Sequence, residues 1–180
     1  MGVLMGLVPL SLPAQQAGKT DSSLKIGTVN VSFGGFFLTG SRARFSAGVR
    51  MTSEQYDLMA EDVQATLAPA KGGHGGLTKA TAEGSQAKKT QVVAHVKQPL
   101  EGKDVEIFAD HAVYVPENSR PGGGRIDFTG HVKVIGMSGF LAGPAPADFG
   151  DGPVTVLLGQ GEDYPQIAAG PGHIVVTPAQ

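Results

Sequence analysis

The sequence predicts an all-β protein, and three observations carry that reading. Apolar residues recur two apart in one segment after another, the period of a strand with one dry face and one wet face. Helix signals are scarce. Only Thr52-Ser53-Glu54-Gln55 offers a Ser or Thr cap for a helical turn, and it reads better as a turn between strands. The segments are punctuated by 27 Gly and 12 Pro among 180 residues, which permit positive φ or hold it at about −65° and so reverse the chain. Eight to ten strands are expected.

Residues 1–12 are almost wholly apolar and run into Pro13-Ala14-Gln15-Gln16-Ala17, where a signal peptidase could cut after Ala14 or Ala17. The basic start of a secretory signal is missing. Residues 1–17 therefore read as a truncated export signal, with a buried strand or a disordered tail as alternatives, and residues 18–180 as one domain. No run of about 20 apolar residues follows that would span a membrane as a helix.

Residues 24–33 and 36–38 read as a first strand broken at Gly34-Gly35. Residues 42–51 alternate, with Ala43, Phe45, Ala47, Val49 and Met51 on one side and Arg42, Arg44, Ser46 and Arg50 on the other. In residues 56–67 the parity slips, since Tyr56, Leu58 and Ala60 precede Val63, Ala65 and Leu67. Such a slip marks a bulge near Glu61 or a strand passing from one sheet to another. Residues 69–76 form a turn or loop tip, and no Gly-Lys-Ser/Thr closes it into a phosphate loop. Residues 77–87 and 90–98 are again extended.

The longest clear pattern follows. Across residues 104–115 the odd positions Val105, Ile107, Ala109, Val113 and Val115 are apolar, with His111 among them. A reversal rich in Pro and Gly occupies residues 116–124. The return strand, residues 125–134, sets Ile126, Phe128, Val132 and Val134 against Arg125, Asp127, Thr129, His131 and Lys133. Residues 139–152 read as a long connection with at most a brief extended piece, and residues 154–158 and 167–176 as a final pair. A small-x-Gly or x-Gly step inside a strand recurs at Ala47-Gly48, Glu83-Gly84, Thr129-Gly130 and Ala169-Gly170, and an Ala-acidic step at Ala60-Glu61-Asp62 and Ala109-Asp110. This spacing suggests one supersecondary unit stacked several times.

Composition excludes whole classes of function. A net charge of −2 with 17% charged residues provides no concentrated basic face for nucleic acid. Hydrophobic content of 41% is ample for a core. Without Cys there are no disulfides and no thiolate metal sites, cysteine nucleophile or lipidated N-terminal cysteine. The five histidines, His74, His95, His111, His131 and His173, show no metal-ligand spacing, and strand parity puts His111 and His131 on opposite faces. Adjacent carboxylates at Glu61-Asp62 and Glu162-Asp163 diverge in a strand and make no acid/base couple. No Gly-x-Ser-x-Gly elbow occurs. An enzyme is not expected, nor a metal or cofactor. In-strand glycines at 48, 84 and 130 either relieve crowding at sheet bends or shape a trough between diverging sheets. Periodicity does not distinguish a closed core from an open apolar groove.

The hairpin carries a family resemblance. Ile-Phe-Ala-Asp-His-Ala-Val-Tyr from Ile107, a turn, then Ile-Asp-Phe-Thr-Gly-His-Val-Lys-Val from Ile126 resembles the repeating unit of the OstA-like family of lipopolysaccharide transport, which includes LptA-like and LptC-like proteins. Arg44-Phe45-Ser46-Ala47-Gly48-Val49, Leu58-Met59-Ala60-Glu61-Asp62-Val63 and Ala80-Thr81-Ala82-Glu83-Gly84 resemble parts of neighbouring units. The Gly/Pro-rich segments at 69–76, 116–124 and 139–153 are longer than a minimal unit.

The resemblance implies an open β-jellyroll of two antiparallel sheets forming a V-shaped trough. It also implies a soluble, exported periplasmic protein without catalytic activity. Such a protein would carry the acyl chains of lipopolysaccharide or a similar amphipathic lipid towards the outer membrane. Its implied partners are that lipid, other OstA-like proteins of the bridge, and further copies of itself joined edge to edge. Candidate lining residues, from parity, are Phe45, Val49, Met51, Ile107, Val113, Ile126, Phe128, Val132 and Val134. The rival reading is a structural β-sandwich with a filled core that mediates protein contacts. A sugar-binding module is disfavoured by the absence of Trp and by only three Tyr.

Overall fold

In the computed structural model, residues 22–68, 76–97, 104–117, 123–136, 147–160, 165–169 and 175–176 are described, and every helix or strand element among them is a strand. Residues 1–17, His74, His173, Gly170 and the Glu162-Asp163 pair lie outside them. The strands are β1 (Ser22–Ile26), β2 (Val29–Phe33), β3 (Gly35–Thr39), β4 (Arg42–Thr52), β5 (Tyr56–Leu67), β6 (Leu77–Glu83), β7 (Val92–Val96) and β8 (Val105–Ala109). They continue with β9 (His111–Pro116), β10 (Gly124–Thr129), β11 (Val132–Ile135), β12 (Ala147–Gly150), β13 (Val154–Leu158), β14 (Gln166–Ala169) and β15 (Val175–Val176). All pair antiparallel into a single sheet of 15 strands, against the eight to ten strands and two sheets expected.

The excess has one main cause: segments that read as continuous strands turn corners. In the long hairpin, β9 pairs β10 from Pro116↔Gly124 to Thr129↔His111, and β8 pairs β11 from Glu106↔Ile135 to Phe108↔Lys133. Between these ladders stand Asp110 on one arm and Gly130 and His131 on the other, the latter two at φ of 77° and 48°. The Asp110 N–H donates to the Gly130 carbonyl at 2.8 Å. The corner removes one residue from the alternation, and a one-residue shift exchanges the faces. Ala112 is therefore buried, while His111 is exposed and Val113 sits on the opposite face, half-buried. This corrects the single parity read across residues 104–115.

The same device bends β4 and β5. Ala47 and Gly48, at φ of 63° and 81°, form a bulge between Ser46 and Val49 opposite Glu61. Ala47 is consequently exposed, although alternation grouped it with Phe45 and Val49. Beyond Glu61 the buried set moves from Tyr56, Leu58 and Ala60 to Val63 and Ala65, the slip expected there. β5 pairs β7 before the slip and β6 after it, so the bulge and the change of neighbour are one event. At the start of the chain Gly27, at φ 60°, turns β1 back onto β2 and splits the expected first strand. At its end β13 pairs β14 as expected, but β15 pairs β12.

The corners align into a seam. The Gly84 N–H donates to the Asp110 carbonyl at 3.1 Å, and Asp110 in turn donates to Gly130. A Cβ on Gly130 would lie 2.9 Å from the Asp110 side chain, so a larger residue crowds that crossing. On one flank of the seam lie β3, the first half of β4, the second half of β5, β6, β9, β10, β13 and β14. On the other lie β1, β2, the remaining halves of β4 and β5, β7, β8, β11, β12 and β15. The sheet curves about its apolar face until it nearly closes, in the manner of a barrel. Val92, Val96, Ile107, Ile126, Phe128, Val132 and Val156 belong to a single core cluster, and among the described residues no polar or charged residue is buried.

Candidate functional site

Eight of the nine candidate lining residues face the interior. Phe45, Val49, Met51, Ile107, Ile126, Phe128, Val132 and Val134 are 0–3% exposed and belong to one cluster. Val113 pairs with Thr81 and Asp127 on the other face.

At the β1–β3 end the inward face continues beyond this covered core. In an antiparallel ladder, directly opposed residues share a face. Leu24 opposes buried Val31, Phe36 opposes buried Phe45, and Leu38 opposes buried Ala43. Register therefore turns all three inward, yet they are 40, 45 and 51% exposed. Beneath them the rings of Phe33, Phe36 and Phe45 meet with centroids 5.1–5.5 Å apart, joining β2 on one flank to β3 and β4 on the other. Sequence reading took residues 24–33 and 36–38 as a strand broken at Gly34-Gly35 but gave these residues no role. Exposure depends on the missing neighbour, because β1 and β3 have no further pairing partner among the described residues.

Opposite the seam, two contacts bridge the flanks. Residues 52–55 form a turn between β4 and β5, as expected, and it is of the ST type: Ser53 Oγ accepts from the N–H groups of Gln55 and Tyr56 at 3.2 and 3.1 Å. It presents Gln55, whose side-chain amide donates to the Gly159 carbonyl and whose Oε1 accepts from the Gly159 N–H at 3.2 Å. Tyr56 meets Tyr114 with ring centroids 6.4 Å apart. The Tyr56 residue is 2% exposed, and its buried hydroxyl has no hydrogen-bond partner among the described residues. Burial, and next to it Tyr114, pushes its pKa well above the ordinary phenol value, so the hydroxyl stays protonated. A buried polar group without a partner costs about 1–3 kcal/mol. Beside these residues lies a cavity of about 290 Å³.

The seam carries an exposed polar pair. His131 Nδ1 lies 2.7 Å from Asp110 Oδ2, and Gln91 Nε2 donates to Asp110 Oδ1 at 3.4 Å. The hydrogen bond with His131 holds the Asp110 carboxyl below its usual range, and the same bond raises the His131 imidazole. His111 and His131 are both exposed, which corrects the opposite faces that parity assigned them. Among the described residues no group of three or more His, Cys, Asp or Glu is gathered to hold a metal ion.

With this geometry in view, comparison with protein-family models, curated proteins and solved structures finds no match to the chain.

Proposed function

We propose that the protein is a non-catalytic lipid carrier that shields the acyl chains of lipopolysaccharide or a similar amphipathic lipid in the periplasm, in the manner of the OstA-like family its hairpin resembles. The observation behind this reading is the inward row Leu24, Phe36 and Leu38, which extends the apolar interior onto unpaired edge strands and leaves it uncovered. In this reading the curved sheet is a β-jellyroll whose V-shaped trough opens at that end. A second copy, or another protein of the same kind, pairs with β1 or β3 and prolongs both sheet and trough. Each methylene kept from water is worth about 0.8 kcal/mol. Apolar contact has no preferred direction, so a chain can slide along such a surface.

A second reading, a β-scaffold with a filled core that serves protein contacts, is favoured by a different observation. The eight inward candidates are 0–3% exposed, and Gln55 and Gly159 tie the flanks together opposite the seam.

Titration with a fluorescent lipid A analogue separates the two. The carrier reading expects saturable binding that is lost in the Phe36→Ser/Leu38→Ser double variant. Binding should persist in Phe37→Ser, because Phe37 opposes Arg44 on the outer face and is 68% exposed. Binding by the unaltered chain no better than to an unrelated β-sandwich leaves the scaffold reading.

A further inference from the structure

β3 exposes apolar side chains on both of its faces. Phe36 and Leu38 belong to the inward row, whereas Phe37 points the other way, opposite Arg44, and at 68% exposure is the most open large apolar side chain among the described residues. The wet face of an alternating strand ordinarily carries polar residues, so the core gives no reason for a Phe there. Register places cations around that ring, since opposed residues share a face. Arg42 stands two residues from Arg44 on β4 and opposes Thr66, which in turn opposes Lys79 on β6. Phe37, Thr39, Arg42, Arg44, Thr66 and Lys79 line one open depression of about 540 Å³, and among the described residues no Asp or Glu lines it. Arg44 is compensated by Asp62, 2.8 Å away. Arg42 and Lys79 are exposed and have no hydrogen-bond or ion-pair partner among the described residues. Two positive charges therefore stand uncompensated beside an exposed ring, in a chain whose net charge is −2.

From this placement we infer a docking face for an anionic membrane surface, in which Phe37 enters the boundary between headgroups and acyl chains while Arg42 and Lys79 lie against lipid phosphates. An exposed Phe beside Lys and Arg is the composition of interfacial membrane anchors, and each basic side chain is drawn to the negative potential of anionic lipid. β3 is an edge strand with only β4 beside it among the described residues, which leaves the ring uncovered. Two other occupants fit less well. A free phosphate would use the cations but not the ring. A second copy related by a twofold axis would set the patch against itself, cations against cations. The docking face lies on the opposite side of β3 from Phe36 and Leu38 and does not depend on acyl chains being carried there.

The chain contains no Trp, so Phe37→Trp in the full chain introduces a single reporter. Its emission should shift to the blue, saturably, with vesicles of phosphatidylcholine and phosphatidylglycerol in equal parts, and not with phosphatidylcholine alone. In cosedimentation with the anionic vesicles, Phe37→Ser should weaken binding by about tenfold. Arg42→Gln/Lys79→Gln should weaken it by about twentyfold, near fivefold for each charge. All three side chains are exposed, so the melting temperatures of these variants should stay unchanged. Phe36→Ser/Leu38→Ser should still bind the vesicles, and Arg42→Gln/Lys79→Gln should still bind the lipid A analogue, so failure of the carrier reading and failure of the docking face are read separately. No preference for anionic vesicles, no blue shift at position 37, or undiminished vesicle binding in either outer-face variant would each overturn the docking face. Release of the vesicles by inorganic phosphate, but not by sodium chloride of the same ionic strength, would overturn it in favour of a small-anion site. A dimer that Phe37→Ser abolishes, in place of vesicle binding, would overturn it in favour of a contact between copies.

Discussion

The middle of the sheet and its β1–β3 end turn apolar residues to the same face and behave differently. Ile126 and Phe128 on β10 lie between β9 and β13, and both are 0% exposed. Phe36 and Leu38 on β3 face the same way by register, but β4 is the only strand beside them among the described residues, and about half of each side chain meets solvent. Alternation sets which way a side chain points. Burial depends on whether strands continue on both sides and whether the opposite flank reaches over. An inward residue at an unpaired edge is therefore the natural place for a ligand or another chain to complete the interior.

Substitutions can break this contrast. The largest effect is expected from Val132→Asp, which would put a carboxylate with no buried polar neighbour at a position 0% exposed. Loss of the cooperative thermal transition is expected, so a surface position is the better probe of lipid binding. Phe128→Ala should cost about 3–5 kcal/mol by denaturant titration, whereas Phe36→Ala, half-exposed against Phe33 and Phe45, should cost about 1 kcal/mol. Equal losses would mean that the β1–β3 end is as covered as the middle.

The seam allows a finer comparison. Gly48 and Gly130 sit at φ of 81° and 77°, but an added Cβ meets nothing within 4 Å at Gly48 and lies 2.9 Å from Asp110 at Gly130. Gly48→Ala should cost about 1–2 kcal/mol, the left-handed backbone penalty alone. Gly130→Ala should cost more, by displacing Asp110. Similar urea midpoints for the two would show that the crossing gives way freely.

The smallest effect is the pH dependence of the Asp110–His131 pair. His131 is raised in the folded chain, so its contribution is fully present below the ordinary imidazole pKa and fades as pH rises through the raised value. Asp110 is lowered, so its contribution is present above the ordinary carboxylate pKa and fades as pH falls through the lowered value. The melting-temperature difference between the unaltered chain and His131→Gln should peak at about pH 4–6.5 and shrink on either side. A difference that does not vary with pH would show that the pair is only a hydrogen bond.

Much of the fold is legible in residue order alone. The period of two in residues 92–96, 105–109, 124–129 and 154–158 places the strands, and Gly27 and the Ser53–Gln55 segment have the chemistry of the turns they make. The slip at Glu61 is visible as a change of parity. The corner at Asp110 is not, because Val113 and Val115 keep the odd positions apolar across it and make two strands look like one. The candidate surfaces were less legible still. Tyr56 and Tyr114 are 58 residues apart, and nothing local brings their rings together.

By itself the sequence determined that this chain is an antiparallel β protein with one apolar and one polar face, because alternation and turn chemistry act between neighbours a few residues apart. Only the tertiary structure decided how the strands bend at a shared seam, which inward residues are covered, and that two distant tyrosines meet. Those outcomes depend on contacts between distant segments, and a corner of one residue, as at Asp110, is enough to exchange the faces of everything beyond it.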